Sequence, residues 1–136
     1  MKFVFLCDPR YMKGEIANFV ANFPSVHELV VMSGEEFLLA KQFPEGTFAV
    51  LADRPTWQKY FSLFRYFGLL PVLEKLPFGI VGRARRHDAL KGRMSVRSSE
   101  FFINPAFSSE EIYALVDRFV AAPPAGHIYP RGTARA

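Results

Sequence analysis

Two aspartates that each end a hydrophobic run are the residues of this chain best placed to do chemistry. Asp8 follows the apolar residues 3–7, and Asp53 follows the apolar residues 48–52. Continuous apolar runs of this length are typical of strands buried on both faces of a parallel sheet. Neighbouring parallel strands share one crevice at their carboxyl ends, and ligands bind there. We therefore expect the two carboxylates to face each other, where their charges require protons or a cation, most simply Mg²⁺.

Strands and helices alternate along the rest of the sequence. Further strands are predicted at 27–32, 78–82 and 101–105, the last of them closing with Asn104 and Pro105. Apolar residues at helical spacing predict helices over 16–23, 55–67 and 112–119. A serine three residues before a glutamate, the capping-box spacing, opens predicted helices at Ser33 and at Ser108. Gly68 and Pro71 are expected to end the third helix, and the segment after the fourth strand to hold another.

This order predicts a single doubly wound α/β sandwich with a five-stranded parallel sheet, as in flavodoxin-like folds. The chain has 136 residues, of which 50% are hydrophobic, enough for one domain with a real core. We assign 1–122 to that domain and the Pro-, Gly- and Ala-rich residues 123–136 to a flexible tail or linker. No apolar run is long enough to span a membrane. The single cysteine, Cys7, and an N-terminus without a secretory pattern indicate a cytoplasmic protein.

The positive charge of the chain is concentrated in one segment. The formal net charge is +4, and residues 83–97 hold six cationic side chains against one aspartate. A focused basic patch can bind an acidic protein surface, an anionic lipid surface or nucleic acid. The side chains of this predicted interaction surface are Arg83, Arg85, Arg86, Lys91, Arg93 and Arg97.

Three stretches of the chain resemble the receiver domain of bacterial response regulators. Leu6-Cys7-Asp8 is similar to the acidic end of a receiver's first strand. Residues 27–53 resemble its second strand, second helix and phospho-acceptor strand. Residues 104–111 are similar to the segment that leads into its last helix. The order and spacing of these stretches carry the resemblance over residues 1 to about 121.

The resemblance implies a role for several site residues. Asp53 matches the aspartate that accepts a phosphoryl group from a histidine kinase, and Asp8 matches an acidic ligand of the neighbouring Mg²⁺. Receivers have a second acidic residue beside that ligand, and in this chain Cys7 stands at that position. Gly82 and Arg83 stand where a receiver has a phosphoryl-binding Thr or Ser, and Asn104 stands where it has a Lys. An amide supplies a hydrogen bond but no charge. The guanidinium of Arg83 is the available substitute.

These departures favour a degenerate, or pseudo-receiver, signal-transduction module of a two-component system. Such a module is expected to act by protein–protein interaction, with phosphorylation weak or unnecessary. The implied partner is a histidine kinase or a downstream effector, and a homodimer is left open. The resemblance favours the face formed by the basic segment, the fifth strand and the last helix for these contacts. Nucleic acid is expected only through a partner, because no separate recognition domain is visible.

Two other functions stay open at this stage. The first is an FMN-binding flavodoxin-like redox protein or flavin reductase, in which Trp57 would stack on the flavin. Its weakness is that Asp8 would repel the flavin phosphate from the loop after the first strand. The second is binding of nucleic acid or another anionic surface through 83–97. Otherwise we expect no enzymatic activity.

Overall fold

A computed structural model describes residues 1–82, 102–103 and 108–121. Its strands form one sheet in the order β2-β1-β3-β4-β5, and every adjacent pair is parallel. Four of the strands have four to seven residues, and the fifth has two. The predicted parallel α/β architecture is therefore confirmed. The strands are β1 (Lys2–Leu6), β2 (Glu28–Met32), β3 (Thr47–Asp53), β4 (Phe78–Val81) and β5 (Phe102–Ile103).

Helices cover both faces of this sheet. A single 3₁₀ turn, Pro9–Tyr11, follows β1 and leads into the first helix. Both predicted capping boxes are present: Ser33 and Glu36 exchange hydrogen bonds of 2.8 and 3.0 Å, and Ser108 and Glu111 exchange bonds of 2.8 and 3.3 Å. The helices are α1 (Gly14–Ala21), α2 (Gly34–Ala40), α3 (Arg54–Tyr66), α4 (Leu70–Glu74) and α5 (Ser109–Val120).

The chain between α3 and β4 differs from the prediction. Gly68 does end α3, because it adopts a positive φ of 72° and lets the Leu69 amide donate to the Phe64 carbonyl at 2.8 Å. Pro71, however, does not close this helix. It lies in the first turn of the additional helix α4, where a residue without an amide hydrogen loses no helical hydrogen bond. Two helices therefore separate β3 from β4.

The core has two parts, one on each face of the sheet. One part contains Trp57, Phe61 and Phe64 of α3 and Leu73 of α4. The other contains Phe19 of α1 and, from α5, Ile112 and Val116. The central strands β1 and β3 contribute to both parts, and β2 is more exposed because it lies at an edge. The strand order and the parallel direction of all strands fix which strand ends meet at the carboxyl edge.

Several predictions fall outside the described part of the chain. They are the helix expected after β4, the basic residues of 83–97, and the tail 123–136. Within the described residues, no helix combines the length and hydropathy required to cross a bilayer.

Candidate functional site

The carboxyl ends of β1 and β3 bring the two predicted acids to one edge of the sheet. Leu6, the last residue of β1, is in register with Ala52 of β3, so Asp8 follows β1 and Asp53 ends the adjacent strand. On the other side of β1, the Cys7 amide donates to the Met32 carbonyl of β2 at 2.9 Å. β1 is thus the position where the strand order changes direction. A crevice at this position is the usual ligand site of an open parallel sheet.

The carboxylate of Asp53 is used by the fold. Asp53 is fully buried, with 0% of its surface exposed, and it is the N-cap of α3. Its Oδ2 accepts a hydrogen bond of 3.0 Å from the Thr56 amide. An acidic N-cap satisfies a free amide of the first turn and interacts favourably with the positive end of the helix dipole. One oxygen of the predicted phospho-acceptor is therefore directed at its own helix.

Thr56 connects this cap to the end of β1. Its hydroxyl oxygen accepts a hydrogen bond of 2.9 Å from the Asp8 amide, while its own amide donates to Asp53. Thr56 is 1% exposed. Because buried polar groups are costly to leave without hydrogen-bond partners, the three residues hold the end of β1 and the start of α3 in one geometry.

The side chain of Asp8 forms an ion pair with a lysine of α3. Lys59 Nζ donates to Asp8 Oδ2 at 3.0 Å, and the side chains are 37% and 10% exposed, respectively. Arg10 contributes little, since its Nε lies 4.0 Å from the same oxygen and its side chain is 67% exposed. The cation closest to Asp8 among the described residues is therefore an ammonium of the chain itself.

Burial changes the titration of the two groups beside this network. Desolvation raises the pKa of Asp53 above its ordinary value, and the bonds from Thr56 oppose that rise only in part. Burial, and after it the neighbouring charge of Asp53, raises the pKa of the Cys7 thiol strongly. Cys7 is 1% exposed and its thiol donates to the Asp8 carbonyl at 3.4 Å. A buried, protonated thiol is a packing group and not a nucleophile.

We expect Asp53→Asn and Asp53→Ala to differ in stability. Asn can still accept the Thr56 bond through its amide oxygen, whereas Ala removes the cap and leaves a buried amide without its partner. The Ala variant should therefore be less stable than the Asn variant by about 1–2 kcal/mol. Urea unfolding of both variants at neutral pH measures this difference. Equal stabilities would contradict the capping role.

The raised pKa of Asp53 predicts how the stability of the protein changes with pH. A raised pKa means that the folded chain holds a proton that the unfolded chain has released. The stability that protonated Asp53 contributes therefore falls as the pH rises from the ordinary pKa of aspartate to the raised pKa of Asp53. At higher pH it stays constant. Asp53→Asn should lack this loss and exceed the wild type in stability at the upper end of that range.

The donor set at this edge is a poor match for Mg²⁺, which prefers several carboxylate and water oxygens in octahedral geometry. Asp8 Oδ2 is bonded to Lys59, and Asp53 Oδ2 to Thr56. Asp53 Oδ1 is buried without a hydrogen-bond partner among the described residues. Residues 1–82 and 108–121 contain no group of three or more His, Cys, Asp or Glu side chains arranged to hold a metal ion. The predicted magnesium site stays a prediction.

Gly82 lies beside this network, one residue beyond Val81, which is in register with Asp53. A Cβ added at Gly82 would lie 3.1 Å from Arg54 Cβ, closer than ordinary contacts. A Thr or Ser at this position would therefore require Arg54 to move. At the end of β4, Arg54 leaves little room for a side chain at residue 82. Asn104, Arg83 and the other basic residues of the predicted interaction surface lie outside the described part of the chain.

Trp57 lies in the core and not on a ligand-facing loop. It is 0% exposed, and its ring centroid lies 4.7 Å from that of Phe78 and 5.3 Å from that of Phe61. A ring enclosed in this way is not available to stack on a flavin. The observation that suggested a flavin protein therefore has a packing explanation.

The functional roles of Thr56 and Lys59 were not predicted from the sequence. A local signal for the cap did exist, because Asp53 is followed two residues later by a proline and then by Thr56, a typical helix start. Lys59 lies one turn after Thr56 on the same side of α3. Its contact with Asp8 depends on the packing of α3 over β1, which no local pattern of residues reveals.

The comparisons with known proteins bear on the fold. No family model and no curated protein matches the sequence. Among solved structures, the chain is similar to the crystal structure of a response regulator receiver protein from Pseudoalteromonas atlantica. The identity is 12%, the TM-score is 0.54, and the alignment covers 88% of this chain and 97% of the other. The likeness confirms that the chain has a receiver-like α/β fold.

Proposed function

We propose that this chain is a receiver-like signalling module that acts through protein–protein contact without phosphorylation of Asp53. The observation that carries the proposal is the position of the Asp53 carboxylate. It is fully buried and holds the first turn of α3. In receivers, the equivalent side chain must instead meet a phosphoryl donor at the surface.

Phosphoryl transfer depends on in-line approach of an oxygen and on cations placed around the transferred group. Oδ2 of Asp53 accepts from the Thr56 amide and Oδ1 is buried, so exposing the carboxylate to a phosphoryl donor would disturb the cap of α3. Loss of an N-cap costs about 1 kcal/mol, and the carboxylate would also have to become exposed. This energetic coupling supports a structural role for Asp53.

The charges at this edge support the same proposal. The ammonium of Lys59 is engaged with Asp8, which matches a metal ligand of receivers. The close approach of Arg54 to Gly82 disfavours a hydroxyl residue after β4. An ammonium of the chain itself thus lies beside Asp8, where a receiver holds Mg²⁺, which supports an output that needs neither Mg²⁺ nor a phosphoryl group.

The partner in this proposal is a cytoplasmic protein, either a histidine kinase or a downstream effector. The basic side chains of 83–97 supply a positive surface that suits an acidic partner. A partner that recognises this surface should bind less tightly as the salt concentration rises.

The test is an amide NMR titration with Mg²⁺, followed by beryllofluoride, which mimics an aspartyl phosphoryl group. We expect the amides of Asp8, Asp53 and Gly82 to keep their chemical shifts in both steps, because Oδ2 of each carboxylate is engaged by Lys59 or Thr56 and Asp53 is buried. Asp53→Asn is the control, since a shift that persists in this variant does not depend on the carboxylate. Saturable shifts around Asp53 that vanish in Asp53→Asn would overturn the proposal.

A further inference from the structure

The outer edge of β2 is open and apolar. β2 is the terminal strand of the sheet and pairs with β1 alone. Val31 is 45% exposed, and on the neighbouring helix Leu39 is 79% exposed. A depression of about 500 Å³ lies between this edge and α2, and a second of about 510 Å³ adjoins it near Cys7 at the carboxyl end of β1; Val31 and Glu36 line both. Together they form a groove, called here the β2 groove.

The backbone of this strand has groups directed into the groove. The Glu28 amide donates to the Met1 carbonyl, and the Met32 carbonyl accepts from the Cys7 amide, so these two residues bond to the β1 side. Alternate residues of a parallel strand bond to the same neighbour. Leu29 and Val31 therefore direct their N–H and C=O groups to the open edge, where the described residues provide no backbone partner.

The strand also lacks several of the features that usually protect an edge. Its sequence, Glu-Leu-Val-Val-Met, contains neither lysine nor proline, and its pairing with β1 runs without a bulge. Edge strands normally carry such features because an exposed ladder of backbone groups pairs with other chains. Their absence here leaves a short template for an added strand, with Val31 as an apolar contact beside it.

Charge determines which kind of strand fits. Exposed carboxylates flank the edge at both ends, with Glu28 at the start of β2 and Glu35 and Glu36 just beyond its end. Antiparallel pairing with a second copy would bring Glu28 of one chain to the end of β2 in the other, the end that Glu35 and Glu36 follow. Like charges placed together in this way are destabilising. A segment with Lys or Arg at its ends would instead have opposite charges there.

We propose that the β2 groove binds an extended segment of a partner protein, with alternating apolar residues flanked by Lys or Arg, as an added strand of the sheet. Such β-strand addition uses main-chain hydrogen bonds for affinity and alternate side chains for specificity. The inference goes beyond the function proposed above, and it holds whether or not Asp53 accepts a phosphoryl group.

The probe is a short capped peptide of alternating Val and Thr with Lys and Arg at both ends, titrated into the isotopically labelled chain. We expect saturable shifts centred on the amides of Leu29 and Val31. The same peptide with Glu in place of Lys and Arg should bind at least about tenfold more weakly. Amides around Asp53 report separately on the acidic pocket, so the outcome is independent of the phosphorylation test.

Protein variants locate the binding site. Val31→Lys places a charge in the open edge and should weaken peptide binding by about tenfold or more. Leu63→Lys is the matched control, because Leu63 is 41% exposed but lies on α3 and does not line the groove, and its binding should equal that of the wild type.

Equal binding by Val31→Lys, equal binding of the acidic peptide, or no binding of the basic peptide would each overturn the proposal. Concentration-dependent dimerisation that Val31→Lys abolishes would also overturn it, in favour of a second copy as the occupant.

Discussion

Replacement of Trp57 by Ala is expected to lower the free energy of unfolding by about 3–5 kcal/mol, the range measured for large aromatic side chains in protein cores. Trp57 is fully buried and contacts the rings of Phe61 and Phe78. Truncation would leave a cavity between α3 and β4 that the surrounding rings can fill only partly. Urea denaturation followed by circular dichroism measures the loss.

Trp57→Phe is the matched control for this prediction. The indole Nε1 is buried without a hydrogen-bond partner among the described residues, so phenylalanine removes volume but no hydrogen bond. We expect it to cost much less than Ala, about 1 kcal/mol. If Trp57 were instead an exposed residue that stacks on a flavin, Trp57→Ala would leave stability within about 0.5 kcal/mol of the wild type. That result would contradict the core position of this side chain.

Replacement of Gly34 by Ala is expected to destabilise the protein by about 1–3 kcal/mol, although Ala is the better helix former. Gly34 is the first residue of α2 and is buried. A Cβ at this position would lie 2.5 Å from Cδ2 of the Tyr60 ring on α3, a distance that real Cβ atoms do not adopt. The two helices can approach each other this closely only because residue 34 has no side chain.

A double-mutant cycle with Tyr60→Ala separates this clash from the helix propensity of residue 34. Once the ring is removed, Gly34→Ala should be neutral or stabilising, because only the propensity gain remains. We expect a coupling of at least about 1 kcal/mol between the two substitutions. Additive effects, measured by the same urea denaturation, would show that the cost at residue 34 has another origin.

The parts of the fold that follow from local sequence were predictable. The four longer strands were found as apolar runs, and both capping boxes were found from the spacing of Ser and Glu. The additional helix α4 was missed because Pro71 was interpreted as a terminator. Proline is compatible with the first turn of a helix as well as with the residues after one, and the sequence alone does not distinguish these positions.

The candidate site was predictable only in its location. The rule that parallel strands share a crevice at their carboxyl ends placed Asp8 and Asp53 together. It could not show that Asp53 caps α3 or that Lys59 neutralises Asp8, since both contacts depend on how α3 packs over the sheet. The exposed edge of β2 was likewise invisible in the sequence, because an apolar run does not reveal whether its strand is central or terminal.

The packing around Gly82 has a consequence for attempts to engineer a phosphorylation switch into this chain. A hydroxyl residue at 82 would crowd Arg54, and release of the Asp53 carboxylate removes the cap of α3. We therefore expect each substitution made alone to bring no benefit, which would arise only when several are combined. The path to a switchable variant is strongly epistatic, so a library that changes 53, 54, 56 and 82 together should succeed where stepwise selection stalls.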